Sequence, residues 1–186
     1  EFDNRMEGYA GNDSIYGGLG DDKIYGGDGD DRLFGGDGND TIYNIGGSDL
    51  FDGEDGTDTL ITDLSSGFDE RSFEIGFDTL AGTHGRLNSL VGQDTISGIE
   101  NFTLIGNFNA ILTGGDEDNV FITGAGDDVL TGGAGVDVLQ GGTGNNVLIG
   151  GMGSDTYFYA YQSADTVIDS GGSNDTLYVT SRDQDN

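Results

Sequence analysis

The sequence predicts an all-β solenoid, a chain wound into short coils that stack on one another, and three observations carry that expectation. Over residues 8–61 a nine-residue unit repeats six times without a slip: GYAGNDSIY, GGLGDDKIY, GGDGDDRLF, GGDGNDTIY, NIGGSDLFD and GEDGTDTLI. Each unit divides into six residues rich in glycine and aspartate and a strand-like triplet. Of the 186 residues only 33% are hydrophobic and 37 are glycine, too little apolar material for a thick core. A fixed period of this kind sets the architecture before local propensity is weighed.

Within each unit the glycine, aspartate and asparagine residues supply tight turns and oxygen donors. The closing triplet carries its apolar residue in the middle, at Ile15, Ile24, Leu33, Ile42, Phe51 and Leu60. Strand alternation points that residue to one face and its two neighbours to the other. Turn and short strand then alternate, so the chain coils, and one coil alone cannot bury its apolar row. With two units per coil, units one, three and five stack on one side and two, four and six on the other. The aspartate at the sixth place, present in every unit, then forms two columns: Asp13, Asp31 and Asp49 in one, Asp22, Asp40 and Asp58 in the other. Stacked strands lie ~4.8 Å apart, a spacing at which bare carboxylates repel.

Charge points the same way. Thirty-five acidic residues against 6 basic ones leave a formal net charge of -29, which opposes compaction unless a cation compensates it. Nucleic acid is excluded as a partner, because phosphate contacts need clustered Lys and Arg. Without its counterion a chain of this composition is expected to be disordered. No cysteine is present, so disulfides and thiolate metal sites are excluded, and no proline interrupts the backbone ladders. No apolar run reaches the roughly 18 residues of a membrane span. The start of the chain has neither Met nor a signal-peptide pattern and reads as a fragment of a longer protein. Since every donor in the repeat is a hard oxygen, the expected cation is calcium, which accepts 6 to 8 such ligands at flexible angles. Zinc would require His or Cys, and the single histidine is His84.

The unit resembles the glycine-rich nonapeptide GGxGxDxUx of the RTX (repeats-in-toxin) family. That resemblance implies a right-handed parallel β-roll in which each calcium takes the sixth-place aspartates of two stacked turns, with carbonyls from places two and four of one and one and three of the other. By this rule Asp13 and Asp31 act with the carbonyls of Tyr9, Gly11, Gly26 and Asp28, and Asp22 and Asp40 with those of Gly18, Gly20, Gly35 and Asp37. Asp31 and Asp49 take Gly27, Gly29, Asn44 and Gly46, while Asp40 and Asp58 take Gly36, Gly38, Gly53 and Asp55. Asn44 and Ile45 replace the opening glycines of the fifth unit, which weakens that third site without removing it.

Residues 1–61 thus form a first block. Residues 62–113 lose the unit and read as an irregular β connector in which the coil continues, because the apolar residues between Ile96 and Leu112 would otherwise be exposed. A second block at 114–158 reads GGDEDNVFI, TGAGDDVLT, GGAGVDVLQ, GGTGNNVLI and GGMGSDTYF. Its sixth places are Asn119, Asp128, Asp137, Asn146 and Asp155. Asp137 with Asp155 makes the one pair with two carboxylates, and the same carbonyl rule gives it Gly133, Gly135, Gly150 and Met152. Asn119 with Asp137, and Asp128 with Asn146 beside Gly124 and Gly126, lack one charge each and bind more weakly. The tail, 159–186, is aromatic at Tyr159, Tyr161 and Tyr178 and reads as a cap over the solenoid end.

Outward aromatic residues at the ninth place are expected to pair across coils, Tyr16 with Phe34 and Tyr25 with Tyr43. A sugar-binding stripe is the functional alternative for the same residues. His84 has no second histidine to act with, and many equivalent carboxylate pairs argue for metal columns over a single glycosidase dyad. Neither HExxH nor GxSxG occurs, so the expectation is a non-enzyme. The resemblance implies a calcium-binding module of a larger secreted bacterial protein that folds after export through type I secretion machinery. An adhesin segment, or a polysaccharide-binding module of a secreted enzyme, is the alternative.

Overall fold

The computed structural model describes residues 2–44, 46–63, 75–78, 85–89, 92–107, 109–160, 163–169, 171–172 and 174–180, and these form strands and turns with no helix. Strands are numbered in chain order. One sheet stacks β1 (Arg5–Ala10), β3 (Lys23–Asp28), β5 (Thr41–Asn44), β7 (Thr59–Asp63), β11 (Asn101–Ile105), β13 (Val120–Ile122), β15 (Val138–Gln140), β17 (Thr156–Ala160) and β19 (Thr176–Thr180). The other stacks β2 (Ser14–Leu19), β4 (Arg32–Asp37), β6 (Leu50–Asp55), β10 (Gly92–Ser97), β9 (Gly85–Ser89), β8 (Ile75–Asp78), β12 (Ile111–Thr113), β14 (Val129–Gly135), β16 (Val147–Gly153) and β18 (Thr166–Ile168). Through the repeats the chain crosses from one sheet to the other at every turn. The result is a β-roll, as the repeat predicts.

Register follows the repeat. Ile15 pairs with Leu33 and Leu33 with Phe51 on one sheet, while Ile24, Ile42 and Leu60 align on the other. Each step is two units, so alternate units stack. The apolar row forms most of the core among the described residues: Ile24, Ile42, Phe51 and Leu60 are fully buried, and one continuous cluster, joined by Ile99, Leu104 and Ala110, runs on to Tyr157. Phe102 joins the two blocks, because it pairs with Leu60 on one side and Phe121 on the other.

The connector departs from a plain coil. β10 lies parallel to β6, and β11 parallel to β7, so the coil resumes at Gly92. Between β10 and β12, however, β9 pairs antiparallel with both β10 and β8. His84, Arg71, Ile45 and Tyr161 lie outside the described residues. In the tail, β18 pairs parallel with β16 and β19 with β17. These two strands add one more coil, whose Leu177, Tyr178 and Val179 are exposed.

Candidate metal centres

The turns bring the sixth-place carboxylates together in the two predicted columns. Asp22, Asp31, Asp40, Asp49 and Asp58 are all buried, each no more than 4% exposed. In each, one oxygen is used by the backbone: Asp31 Oδ1 accepts the Asp13 amide at 2.9 Å, Asp49 Oδ1 the Asp31 amide at 2.8 Å, Asp40 Oδ1 the Asp22 amide at 2.7 Å and Asp58 Oδ1 the Asp40 amide at 2.8 Å. The other oxygen is different. Oδ2 of Asp13, Asp22, Asp31, Asp40 and Asp58 is buried with no hydrogen-bond partner. A buried carboxylate oxygen left unpaired is costly, and several in a row oppose the fold unless a cation meets them.

Those oxygens converge on space that only glycine leaves open. A Cβ at Gly8 would strike both Asp13 Oδ2 and the Gly26 carbonyl oxygen of the next coil; Gly17 stands in the same relation to Asp22 and Gly35, and Gly35 to Asp40 and Gly53. Carbonyls from places two and four are stacked just as closely. Gly27, at φ 106°, lies against the Tyr9 carbonyl, and Gly29, at φ 134°, against that of Gly11. The carbonyls of Gly18 and Gly20 meet Gly36 and Gly38 in the same way. Positive φ at place two is demanded even where glycine is missing, for Tyr9 adopts φ 75° and Glu54 φ 67°. Carbonyls at place three are engaged differently: those of Asp28, Asp37 and Asp55 accept the amides of Gly11, Gly20 and Gly38 at 2.8, 2.9 and 2.9 Å.

Electrostatics record the strain of this packing. Burial, with a smaller push from Glu100, Asp40 and Asp52, raises the Asp58 carboxyl to about 7 from its ordinary 3.8. Asp137 is raised to about 6, again chiefly by burial. Burial raises Asp40, Asp128 and Asp155 as well.

The second block is uneven. Asp137 Oδ1 accepts the Asn119 amide at 2.8 Å and Asp155 Oδ1 the Asp137 amide at 3.0 Å, while Oδ2 of both aspartates is buried and unpartnered. Asn119 turns its Nδ2 to the Glu100 carbonyl at 3.0 Å. Asp128 is a different case, because Thr123 stands where most units begin with glycine and its Oγ1 donates to Asp128 Oδ2 at 2.7 Å. The hydroxyl fills the cradle and satisfies the oxygen that elsewhere has no partner. The carbonyls of Gly124, Gly126, Gly133 and Gly135 lie close beneath Gly142, Gly144, Gly151 and Gly153, as in the first block. At Gly150 the cradle faces Asp155 Oδ2, whereas the side chain of Met152 is exposed.

Four further residues occupy the columns beyond those predicted. The Asn4 amide donates to Asp22 Oδ1 at 2.7 Å, which places a coil before the first unit. Glu100 Oε2 accepts the Asp58 amide at 2.8 Å, Asp165 Oδ1 the Asn146 amide at 2.9 Å and Asp175 Oδ1 the Asp155 amide at 2.8 Å. The last two sit 19 and 20 residues along from their partners, so they fall outside a search at 18. The signal was the pair of Asp-Thr-apolar triplets, DTV and DTL, at 165 and 175. Position 110, in contrast, is Ala, whose amide still donates to Asp128 Oδ1 at 2.7 Å.

Among the described residues no three His, Cys, Asp or Glu side chains converge on one point. The oxygens that face the cradles are carboxylate Oδ2 atoms and backbone carbonyls of stacked turns. Only hard oxygen is offered, in a cradle of flexible turns, and that chemistry fits calcium better than magnesium, which demands a strict octahedron. A calcium ion bound there would supply the positive charge that the buried Oδ2 oxygens lack; the chain's part is to orient those oxygens and exclude side chains from the cradle.

No curated protein matches the chain. A family model described as the RTX calcium-binding nonapeptide repeat (4 copies) matches residues 1–33, 25–60, 46–65, 105–139 and 131–160, which together cover more than half of the sequence. With its buried carboxylate columns and its glycine cradles, the chain belongs to the RTX calcium-binding repeat family and binds calcium ions.

Proposed function

We propose that this calcium-binding RTX module is a folding switch within a larger secreted bacterial protein, unfolded while calcium is scarce and folded once outside the cell. The observation that carries the reading is the row of buried, unpartnered Oδ2 atoms. In the absence of a cation they oppose the coil, and with one they hold it together, so ion binding becomes folding free energy. Extracellular calcium modules bind at about 10⁻⁴ to 10⁻³ M, a range that separates the inside of a cell from its surroundings. A cysteine-free chain with net charge -29 suits passage through a type I secretion channel in the unfolded state. Our assignment of the ions is Asp13/Asp31, Asp22/Asp40, Asp31/Asp49 and Asp40/Asp58 in the first block and Asp137/Asp155 in the second.

The alternative of a sugar-binding stripe is less well supported. Tyr25 and Tyr43 stack at 4.1 Å with 7° between their planes, and the guanidinium carbon of Arg5 lies over the Tyr25 ring at 4.2 Å. Tyr16 and Phe34 stack at 4.8 Å. Each ring turns one face to its stacking partner, and Tyr25 has Arg5 over it as well. Circular dichroism of the chelator-treated chain, followed by calcium titration, tests the proposal. The expected outcome is coil giving way to β structure near millimolar calcium, and a chain equally folded in chelator would contradict it.

A further inference from the structure

The nonapeptide register ends at residue 61, yet the carboxylate column does not. Register places Ile96 beside Phe51 and Phe102 beside Leu60, so the half-coil that takes 9 residues in the repeat takes 6 here. The turn is short by three residues, and the column position that precedes β11 holds Glu100 in place of aspartate. The extra methylene of glutamate makes up the reach: Glu100 Oε2 accepts the Asp58 amide at 2.8 Å, the bond that an aspartate Oδ1 makes in the neighbouring coils.

Next to it, Asp58 is fully buried and its Oδ2 has no hydrogen-bond partner. A Cβ at Gly53 would strike both that oxygen and the carbonyl oxygen of Gly98. The Asp58 Oδ2 oxygen and the Gly98 carbonyl therefore share a cradle that no side chain fills, and the Glu100 carboxylate sits on the Asp58 amide beside it. Neither Gly98 nor Glu100 falls within the segments that match the repeat family.

We propose that Asp58 and Glu100, with the Gly98 carbonyl, bind a calcium ion that fastens the connector to the first block. The inference rests on the calcium-dependent folding proposed above and adds a site to it. Ions within the first block close loops of 18 residues, whereas this one closes a loop of 42 and ties together strands that no short turn connects. Its loss should leave the first block folded and the rest of the roll less firmly attached.

The test is calcium stoichiometry of the full chain, by titration calorimetry after chelator treatment, for wild type and Glu100→Gln. Glutamine keeps an oxygen to accept the Asp58 amide and removes the charge. The expected result is one bound ion fewer with calcium-saturated β structure retained, and Glu100→Asp should lose the same ion because it is too short. An unchanged ion count, with affinities within about twofold, overturns the site. If the variants do not fold, wild-type crystals grown in calcium decide the matter: an anomalous peak between Asp58 and Glu100 supports the proposal and its absence defeats it. A wild-type chain that ignores calcium defeats the folding switch too. Calcium-induced folding with a full ion count in Glu100→Gln defeats only the added site.

Discussion

At the scale of single residues, one side chain decides whether the buried carboxylate oxygen of a turn is left open or met by a hydroxyl. Glycine at the first place leaves Oδ2 of the aspartate facing empty space, as at Gly8 and Asp13. Thr123 instead donates a hydrogen bond to Asp128. Thr123→Val keeps the volume and removes the donor, so a buried carboxylate oxygen is left unpaired, at a cost of about 1–3 kcal/mol. Chemical denaturation in saturating calcium should show that loss, and a variant as stable as wild type would mean that Asp128 finds another partner. The aspartates were legible from the repeat, but Thr123 was not read as a donor, because nothing in a nonapeptide pattern says where a hydroxyl at its first place will point.

Turns act as paired elements, each clamped to the coil on either side. Asp31 gives Oδ1 to the Asp13 amide, and its own amide donates to Asp49. A second ladder runs outside the first in the opposite sense: Asp21 Oδ1 accepts the Asn39 amide at 2.8 Å and Asp30 Oδ1 the Ser48 amide at 3.0 Å. Removing a charge from Asp31 therefore touches two interfaces. Asp31→Asn should raise the calcium concentration at the folding midpoint by about tenfold or more, ~1.4 kcal/mol. A calcium titration followed by circular dichroism measures it, and a shift no larger than that of Asp13→Asn, which sits at one interface, would contradict the shared role. Tyr16 with Phe34 and Tyr25 with Tyr43 were legible at this scale because an 18-residue period dictates which side chains meet. Asp165 and Asp175 were not, since the tail stretches the period to 19 and 20.

For the whole molecule, protons and calcium compete for the same carboxylates. Asp58, raised to about 7, and Asp137, raised to about 6, hold protons more tightly folded than unfolded. A raised carboxylate pKa favours the metal-free coil below the unfolded value near 4, and that support is lost as pH rises through about 6 to 7. In chelator, β structure should thus be greatest near pH 4 and fall toward pH 7. With calcium the sign reverses, because ions bind the ionised form and the midpoint calcium concentration should fall over the same interval. Far-ultraviolet circular dichroism across pH 4 to 8, with and without calcium, checks both halves, and a chelated chain whose β content is flat with pH would refute the first.

By itself the sequence determined the repeat, the two sheets, the apolar row and the nature of the cation. These follow from period and donor chemistry, which are local and survive in a linear string. Tertiary structure alone decided how the unpatterned stretches join the roll. Phe102 continues the row between Leu60 and Phe121, and Glu100 takes an aspartate's place beside Asp58 across 42 residues. Those contacts depend on which strand edge a returning segment meets, and once the period is broken that choice is made by hydrogen-bond register and packing in three dimensions.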